Sequence, residues 1–149
     1  IANNDISFSN TANKTVTHSA LNQSGTLTSA TTPPVTKVAI FNQALTGGAA
    51  TIDLTALTGT NGATTALNGL KVQYLFVKAN AENANPITLT EGASTGYELA
   101  GNGWTVVLQP GQWFTFFGND ATPDVDSGAK TIDLSGTGSQ SVDIEIVAG

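Results

Sequence analysis

The sequence predicts an all-β fold, an eight-stranded antiparallel jelly-roll-like β-sandwich with an extended N-terminal arm. Three observations support this prediction. Only 11% of the residues are charged and 40% are hydrophobic, and much of the remainder is Thr, Asn and Gly, which suit pleated strands and turns. Short apolar runs are separated by Gly, Pro and Asn at short spacing. The best helical pattern, at residues 63–67, is at most one short helical turn.

The chain length and two adjacent prolines predict the domain organisation. A chain of 149 residues is enough for one domain with one core. Residues 1–32 carry few large apolar side chains and show only brief alternations, at 14–18 and 25–28, so they are predicted to form an extended arm. Pro33 and Pro34 disfavour helix and stiffen the junction. Residues 33–149 are predicted to form a single β-sandwich domain.

Eight strand-like runs follow the prolines. In the last run Val142, Ile144 and Ile146 alternate with acidic residues, which is typical of a strand with one buried face. In the third run the alternation predicts burial of one face and partial burial of the other. The eight runs are residues 35–42, 50–55, 70–80, 86–91, 104–109, 112–118, 130–135 and 141–147.

Two sequence features bear on the strand order. The word TIDL occurs at 51–54 and again at 131–134, in the second and seventh runs. In a jelly roll the second and seventh strands are antiparallel neighbours, so we expect these words to pair. The sequence QPGQ at 109–112 fits a type II turn, which favours a simple hairpin and therefore another Greek-key sandwich. Both topologies are compatible with the sequence.

The charge pattern excludes two classes of partner. The formal net charge is −6, and the five basic residues are all lysines spread along the chain. There is no basic patch for a nucleic acid or for an anionic membrane surface. The longest apolar runs, 38–41 and 74–77, have four residues, whereas a membrane-spanning helix needs about 20. We therefore expect no nucleic-acid partner and no membrane partner.

The sequence offers few side chains that could act in catalysis, so it predicts a protein that is not an enzyme. Its one histidine, His18, lies in the polar arm, where a solvated side chain is the favoured interpretation. The acidic residues either alternate outward on strands or lie in turns, which does not favour a hydrolase. There is no Cys to provide a thiolate. We predict no catalytic residue and no cofactor.

The densest cluster of carboxylates lies at residues 119–128. Asp120, Asp124 and Asp126 offer hard oxygen ligands that suit calcium. Their spacing does not match the twelve-residue calcium loop, and a terminal bidentate Glu is missing. A solvated acidic turn is the favoured interpretation, and a calcium site is the weaker alternative.

The aromatic residues suggest two kinds of contact. Tyr97, Trp104 and Trp113 are candidates for stacking on a sugar, although core filling is the favoured role. Within WFTFF, alternation places Trp113 and Phe117 on one face and the two intervening phenylalanines on the other. One set should belong to the core, and the other is free to contact a subunit or a ligand.

Four segments, in their order along the chain, resemble small all-β virion proteins of tailed bacteriophages. They are DLTALTG at 53–59, GLKVQYLFVKAN at 69–80, ITLTEG at 87–92 and VVLQPGQWFTFF at 106–117, followed by a closing alternating strand. The resemblance covers about two thirds of the chain, and each motif is short. The arm at 1–32 is a departure from that pattern.

The resemblance implies a structural component of a virion, either a capsid decoration or cement protein or part of a head or tail fibre. Its partners would be copies of itself, with a trimer favoured, and the major capsid protein or other virion proteins. Contacts are expected at Phe8, Val16 and Leu27 in the arm and at Trp113 and Phe117. The alternative is a secreted or surface carbohydrate-binding or adhesin module, which would be extracellular.

Overall fold

The computed structural model describes residues 7–9, 15–17 and 26–149. In this part of the chain twelve β-strands form, and no helix does. The all-β class is confirmed, and each of the eight predicted runs overlaps one of the longer strands. The strands are β1 Ser7–Ser9, β2 Thr15–Thr17, β3 Lys37–Ala44, β4 Ala49–Asp53, β5 Leu57–Thr58, β6 Thr64–Thr65, β7 Val72–Ala79, β8 Ile87–Glu91, β9 Thr105–Leu108, β10 Trp113–Phe117, β11 Thr131–Ser135 and β12 Ser141–Ala148.

The eight longer strands form two four-stranded antiparallel sheets around one hydrophobic core. Sheet I has the order β10-β7-β12-β3, and sheet II has the order β4-β11-β8-β9. All neighbouring strands within both sheets are antiparallel. This arrangement is a β-sandwich, as the sequence predicts.

The chain crosses between the sheets at most of its connections. Among these eight strands, only β8 and β9 are consecutive and also lie in the same sheet. The second strand of the eight, β4, pairs with the seventh, β11, and Ile52 lies opposite Ile132. The predicted pairing of the two TIDL words is confirmed. The strand order is compatible with the jelly-roll-like arrangement.

The turn at 109–112 joins strands of opposite sheets. The Gln112 N–H donates to the Gln109 carbonyl oxygen at 2.9 Å, and Gly111 has a φ of 81°, a conformation that favours glycine. The turn itself follows from its sequence. The hairpin that it favoured does not form, because β9 pairs with β8 in sheet II whereas β10 pairs with β7 in sheet I.

The core lies between the inward faces of the two sheets. In sheet I, Leu75 lies opposite Ile146 and Val77 lies opposite Ile144, and all four side chains are buried. In sheet II the paired Ile52 and Ile132 are buried from the other side. Burying one such side chain contributes about 1.5–3 kcal/mol. The alternation of apolar residues in these strands therefore fixes which face of each sheet is turned inward.

Gln73 connects the beginning and the end of the domain. Its Nε2 donates to the carbonyl oxygen of Pro34 at 2.8 Å and to that of Gly149 at 3.2 Å. Beside it, the Thr36 N–H donates to the Ala148 carbonyl oxygen at 2.9 Å. The residues that follow the two prolines are thus tied to the last strand.

Two short hairpins accompany the sandwich. Strands β1 and β2 pair antiparallel within the predicted arm, and Phe8 lies opposite Val16 in their register. Strands β5 and β6 also pair, and Thr58 lies opposite Thr64. The short helical turn considered for 63–67 is wrong, since Thr64 and Thr65 form β6.

Candidate interaction surface

The outward side of sheet I carries a group of aromatic and aliphatic side chains that we call the aromatic face. Sheet order and register place these residues on the same side of the sheet, on the neighbouring strands β10 and β7 and, beyond β12, on the edge strand β3. Trp113 and Phe117 come from β10, Tyr74 and Phe76 from β7, and Val38 and Ile40 from β3. Because successive side chains of a strand point to opposite sides, the residues between them face the core.

Strand β10 shows this alternation clearly. Phe114 and Phe116 pack against the hydrophobic core, while Trp113 and Phe117 are 64% and 69% exposed. The two sets of aromatic residues therefore divide as the sequence predicts. Trp113 and Phe117 form the set that does not belong to the core.

The rings of Phe117 and Tyr74 meet across β10 and β7. Their centroids are 5.2 Å apart with an interplanar angle of 54°, a tilted geometry that aromatic pairs favour. Burial raises the pKa of the Tyr74 phenol, and the nearby carboxylate of Glu145 raises it further. Tyr74 is therefore a neutral, largely apolar part of this face at ordinary pH.

Polar side chains cross the same surface in one row. Trp113 lies opposite Lys78, Lys78 opposite Asp143, and Asp143 opposite Asn42. The Asn42 Nδ2 donates to the Asp143 Oδ1 at 2.9 Å. In the next row Glu145 lies between Phe76 and Ile40. The aromatic face thus combines apolar area with a few fixed charges.

The outward side of sheet II has a different chemistry. One row across it consists of Thr105, Thr90, Asp133 and Thr51, and the Thr51 hydroxyl donates to the Asp133 Oδ1 at 2.7 Å. Val107 is the large exposed hydrophobic residue of this side. The two outer faces of the sandwich are therefore an apolar one and a threonine-rich polar one.

Two of the three proposed sugar-stacking residues are in the core, so that prediction is wrong for them. Tyr97 is 0% exposed and Trp104 is 8% exposed, and a buried ring has no face to offer a sugar. The Trp104 Nε1 donates to the Tyr97 carbonyl oxygen at 2.8 Å. The Tyr97 hydroxyl donates to the Pro123 carbonyl oxygen at 2.7 Å and accepts from the Val72 N–H at 3.2 Å. Trp113 alone of the three is exposed.

In the acidic loop, residues 119–128, Asp124 and Asp126 bind different partners. Asp124 pairs with Lys71, with 2.9 Å between Oδ1 and Nζ. The Asp126 Oδ1 accepts from the backbone N–H groups of Gly128 and Ala129 at 2.7 and 2.9 Å. Across residues 7–9, 15–17 and 26–149, no three His, Cys, Asp or Glu side chains gather into a metal site. The weaker calcium interpretation of Asp120, Asp124 and Asp126 is therefore not supported by their placement.

The arm residues are only partly described. Phe8 and Val16 belong to β1 and β2, but their side chains lie outside the described part of the chain, as does His18. Leu27 is 37% exposed. The roles predicted for the arm stay predictions.

Four residues of the aromatic face were missed by the sequence reasoning as contact residues. The alternation in β7 places Tyr74 and Phe76 on one side, but the strand is apolar on both sides, so the pattern does not say which side is outward. Val38 and Ile40 belong to β3, where the central residues are apolar on both sides. The acidic residues of β12 could have identified this side, because charged side chains face water and so mark the outward side of sheet I.

Comparison with known proteins found little similarity. No family model matches the chain, and no curated protein matches it. One similar solved structure is a pilus described as a Bacillus endospore appendage of a disulfide-linked family, with 14% identity, a TM-score of 0.47, and coverage of 86% of this chain and 96% of the other. Another is a de novo designed double-stranded β-helix, with 13% identity, a TM-score of 0.34, and coverage of 76% and 100%. Neither similarity is close enough to indicate a function.

Residues 7–9, 15–17 and 26–149 contain no helix with the length and apolar character needed to cross a bilayer.

Proposed function

We propose that this chain is a non-enzymatic structural subunit of a virion, and that it acts by packing its aromatic face against other subunits. One observation carries the proposal. Residues 26–149 contain six large hydrophobic side chains that are well exposed, and four of these belong to the aromatic face. The four are Val38, Ile40, Trp113 and Phe117.

The aromatic face concentrates exposed apolar area on one side of the sandwich. Single exposed hydrophobic residues are normal, but a contiguous apolar patch is typical of an interaction site. Covering such area contributes about 25 cal/mol per Å², and each aromatic side chain can bury about 150–250 Å². The threonine-rich outer side of sheet II offers no comparable area. The aromatic face is therefore the side of the sandwich that gains most from being covered.

The charges on the aromatic face favour a protein partner of defined orientation. Three charged residues lie among its apolar side chains, namely Lys78, Asp143 and Glu145. They favour a partner with complementary charges and disfavour a partner bound in the wrong orientation. The broad face of a four-stranded sheet suits another subunit. This combination of apolar area and fixed charge is common in protein interfaces.

The virion setting rests on the resemblance to small phage virion proteins. In that setting the chain is a capsid decoration or cement protein or a fibre component. It forms a homo-oligomer, with a trimer favoured, and also contacts the major capsid protein or other virion proteins. The arm, with Phe8, Val16 and Leu27, adds contacts to a neighbouring subunit by strand addition.

The test compares two exposed aliphatic residues on opposite faces. Ile40 is 51% exposed on the aromatic face, and Val107 is 54% exposed on sheet II. We expect Ile40→Asp to lower the assembly state that light scattering measures at several concentrations, because it places a charge within the covered area. Val107→Asp serves as the matched control and should leave the assembly state unchanged. A native chain that stays monomeric at every concentration, or equal effects of the two variants, would contradict the proposal.

The second candidate is a carbohydrate-binding or adhesin module, and the exposure of Trp113 favours it. A flat ring beside hydrogen-bonding groups is suited to a sugar, and Trp113 stands in the same row as Lys78, Asp143 and Asn42. In this case the chain works outside the cell and binds glycans through the aromatic face.

The two tryptophans make this second candidate simple to test. Sugar-dependent quenching of the native fluorescence is expected to persist in Trp104→Phe and to disappear in Trp113→Phe, because Trp104 is buried. A glycan panel without any quenching would argue against the carbohydrate function.

A further inference from the structure

Strand β10 is an edge strand whose outer side is unpaired in the described structure. It ends the order of sheet I, and within residues 7–9, 15–17 and 26–149 its pairing partner is β7. Proteins commonly protect such edges with charged residues or bulges. Residues 113–117 carry no charge, and their pairing with β7 has no register shift.

The hydrogen bonds show which backbone groups of β10 are available. The Ala79 N–H donates to the Gln112 carbonyl oxygen at 2.9 Å, and the Gly118 N–H donates to the Gln73 carbonyl oxygen at 2.8 Å. Even-numbered residues therefore turn their backbone groups toward β7. Because this direction alternates along a strand, Trp113, Thr115 and Phe117 turn theirs toward the open edge.

The sequence of β10 is complementary to itself in the antiparallel sense. A two-fold axis through Thr115 places Trp113 opposite Phe117 of a second copy and Phe114 opposite Phe116 of that copy. The three residues with outward backbone groups then meet each other, so their N–H and carbonyl groups are satisfied together. The outer side gains two Trp–Phe pairs, which are among the favourable cross-strand pairs.

We propose that two copies of this chain pair edge to edge through β10, with the two-fold axis at Thr115, to form one continuous eight-stranded sheet. This inference rests on the proposed assembly function, which it deepens by naming the partner and the register. It replaces the favoured trimer with a two-fold dimer as the basic contact between copies. The axis is perpendicular to the sheet, so both aromatic faces lie on the same side. Phe117 of each copy then lies between Tyr74 of its own chain and Trp113 of the other copy.

The contact area sets the strength of this pairing. With aromatic side chains of about 150–250 Å² each, the exposed parts of Trp113 and Phe117 in two copies amount to roughly 500 Å². A standard stable interface buries about 1,200–2,000 Å². The pairing is therefore weak in solution and depends on concentration, and it is reinforced when a larger assembly covers the aromatic face.

Charged substitutions at Thr115 test the register, because a residue on the two-fold axis lies opposite the same residue of the second copy. Light scattering is recorded from about 10 µM to about 1 mM, the range in which weak contacts dissociate. The native chain should approach twice its mass of 15.2 kDa, rather than the three times expected for a trimer. Thr115→Lys and Thr115→Glu should each dimerise about fivefold more weakly, because like charges lie directly opposite. An equimolar mixture of the two variants should recover the dimer.

A cysteine variant gives an independent readout. Residues of a hydrogen-bonded antiparallel pair have Cα atoms about 5.5 Å apart, within the range of about 4.4–6.8 Å that a disulfide accepts. The chain has no cysteine of its own, so Thr115→Cys should form one covalent dimer under a mild thiol oxidant. Val107→Cys, on the exposed side of sheet II, is the matched control and should stay monomeric.

The outcomes separate this inference from the proposed function. Loss of assembly in Ile40→Asp, together with no recovery in the mixed Thr115 variants, would leave the proposed function standing and overturn the edge pairing. Recovery in the mixture, with no effect of Ile40→Asp, would support the edge pairing and contradict the role of the aromatic face. A native chain that remains monomeric to about 1 mM would overturn the edge pairing.

Discussion

The ring of Phe117 lies 5.2 Å from the ring of Tyr74, centroid to centroid, on the outer side of sheet I. The two residues are opposite each other in the register of β10 and β7. This pair anchors one end of the aromatic face to a central strand. Phe117 remains 69% exposed even so, so most of its surface is available to a partner.

The first prediction concerns the strength of this pair. Phe117→Ala should lower the free energy of unfolding, and a double-mutant cycle with Tyr74→Ala should give a coupling of about 0.5–1.5 kcal/mol. The measurement is urea denaturation of the four proteins in the cycle. A coupling near zero would mean that the tilted contact contributes nothing to stability in solution.

The second prediction follows from the buried phenol of Tyr97. Burial raises the pKa of Tyr97 to about 12, whereas the unfolded chain has a pKa near 10. The neutral phenol is the form that the folded state retains, so its contribution is complete below pH 10 and is lost as the pH rises toward 12. Unfolding measured from pH 8 to pH 12 should therefore show a decline of stability.

Tyr97→Phe isolates this contribution. Below pH 10 the variant should be less stable by about 1–3 kcal/mol, because the Val72 N–H and the Pro123 carbonyl oxygen lose their partner. Its stability should also fall less steeply than that of the native chain above pH 10. Equal slopes in the two proteins would assign the alkaline decline to other groups.

The third prediction concerns Asp53. The Thr55 hydroxyl donates to its Oδ1 at 2.6 Å, and this bond is the main reason why the pKa of Asp53 is lowered, with smaller contributions from the Thr55 N–H and Lys130. The resulting stability is present above the unfolded pKa of about 4 and is lost as the pH falls through the folded pKa.

Substitution of Thr55 tests this assignment. Thr55→Val should raise the pKa of Asp53 toward its ordinary value, as measured by NMR titration of the side-chain carboxyl. Lys130→Gln should have a smaller effect, because the salt bridge is partly exposed to solvent. A larger effect of Lys130→Gln would contradict the order of the two causes.

The fourth prediction separates the arm from the domain. Removal of residues 1–32 should abolish assembly beyond the edge-to-edge pair of β10 but lower the free energy of unfolding by no more than about 1 kcal/mol, because Pro33, Pro34 and the bond from Gln73 to Pro34 are retained. A chain that begins at Val35 should lose a further 1–3 kcal/mol or so, since Gln73 is buried and loses that acceptor. Assembly larger than the β10 pair that survives the first truncation would refute the role of the arm.

The sequence by itself determined the fold class and much of the local structure. Alternation of period two marked the eight strands, since one face of each sheet is apolar and the other has to meet water. The division of WFTFF into Phe114 and Phe116 against Trp113 and Phe117 follows from the same period. The turn at Gly111 also follows from its local sequence, because its φ of 81° favours glycine.

The tertiary structure decided what local patterns leave open. Tyr97 and Trp104 are as aromatic as Trp113, yet they are buried because the loop before β9 lies against the core, where their polar groups find backbone partners. The position of Tyr74 and Phe76 beside Phe117, and of Ile40 on the same side at the other edge of the sheet, depends on strand order and register, which long-range pairing sets. A strand that is apolar on both sides does not show which side is outward, so the aromatic face emerges only from the folded sheet.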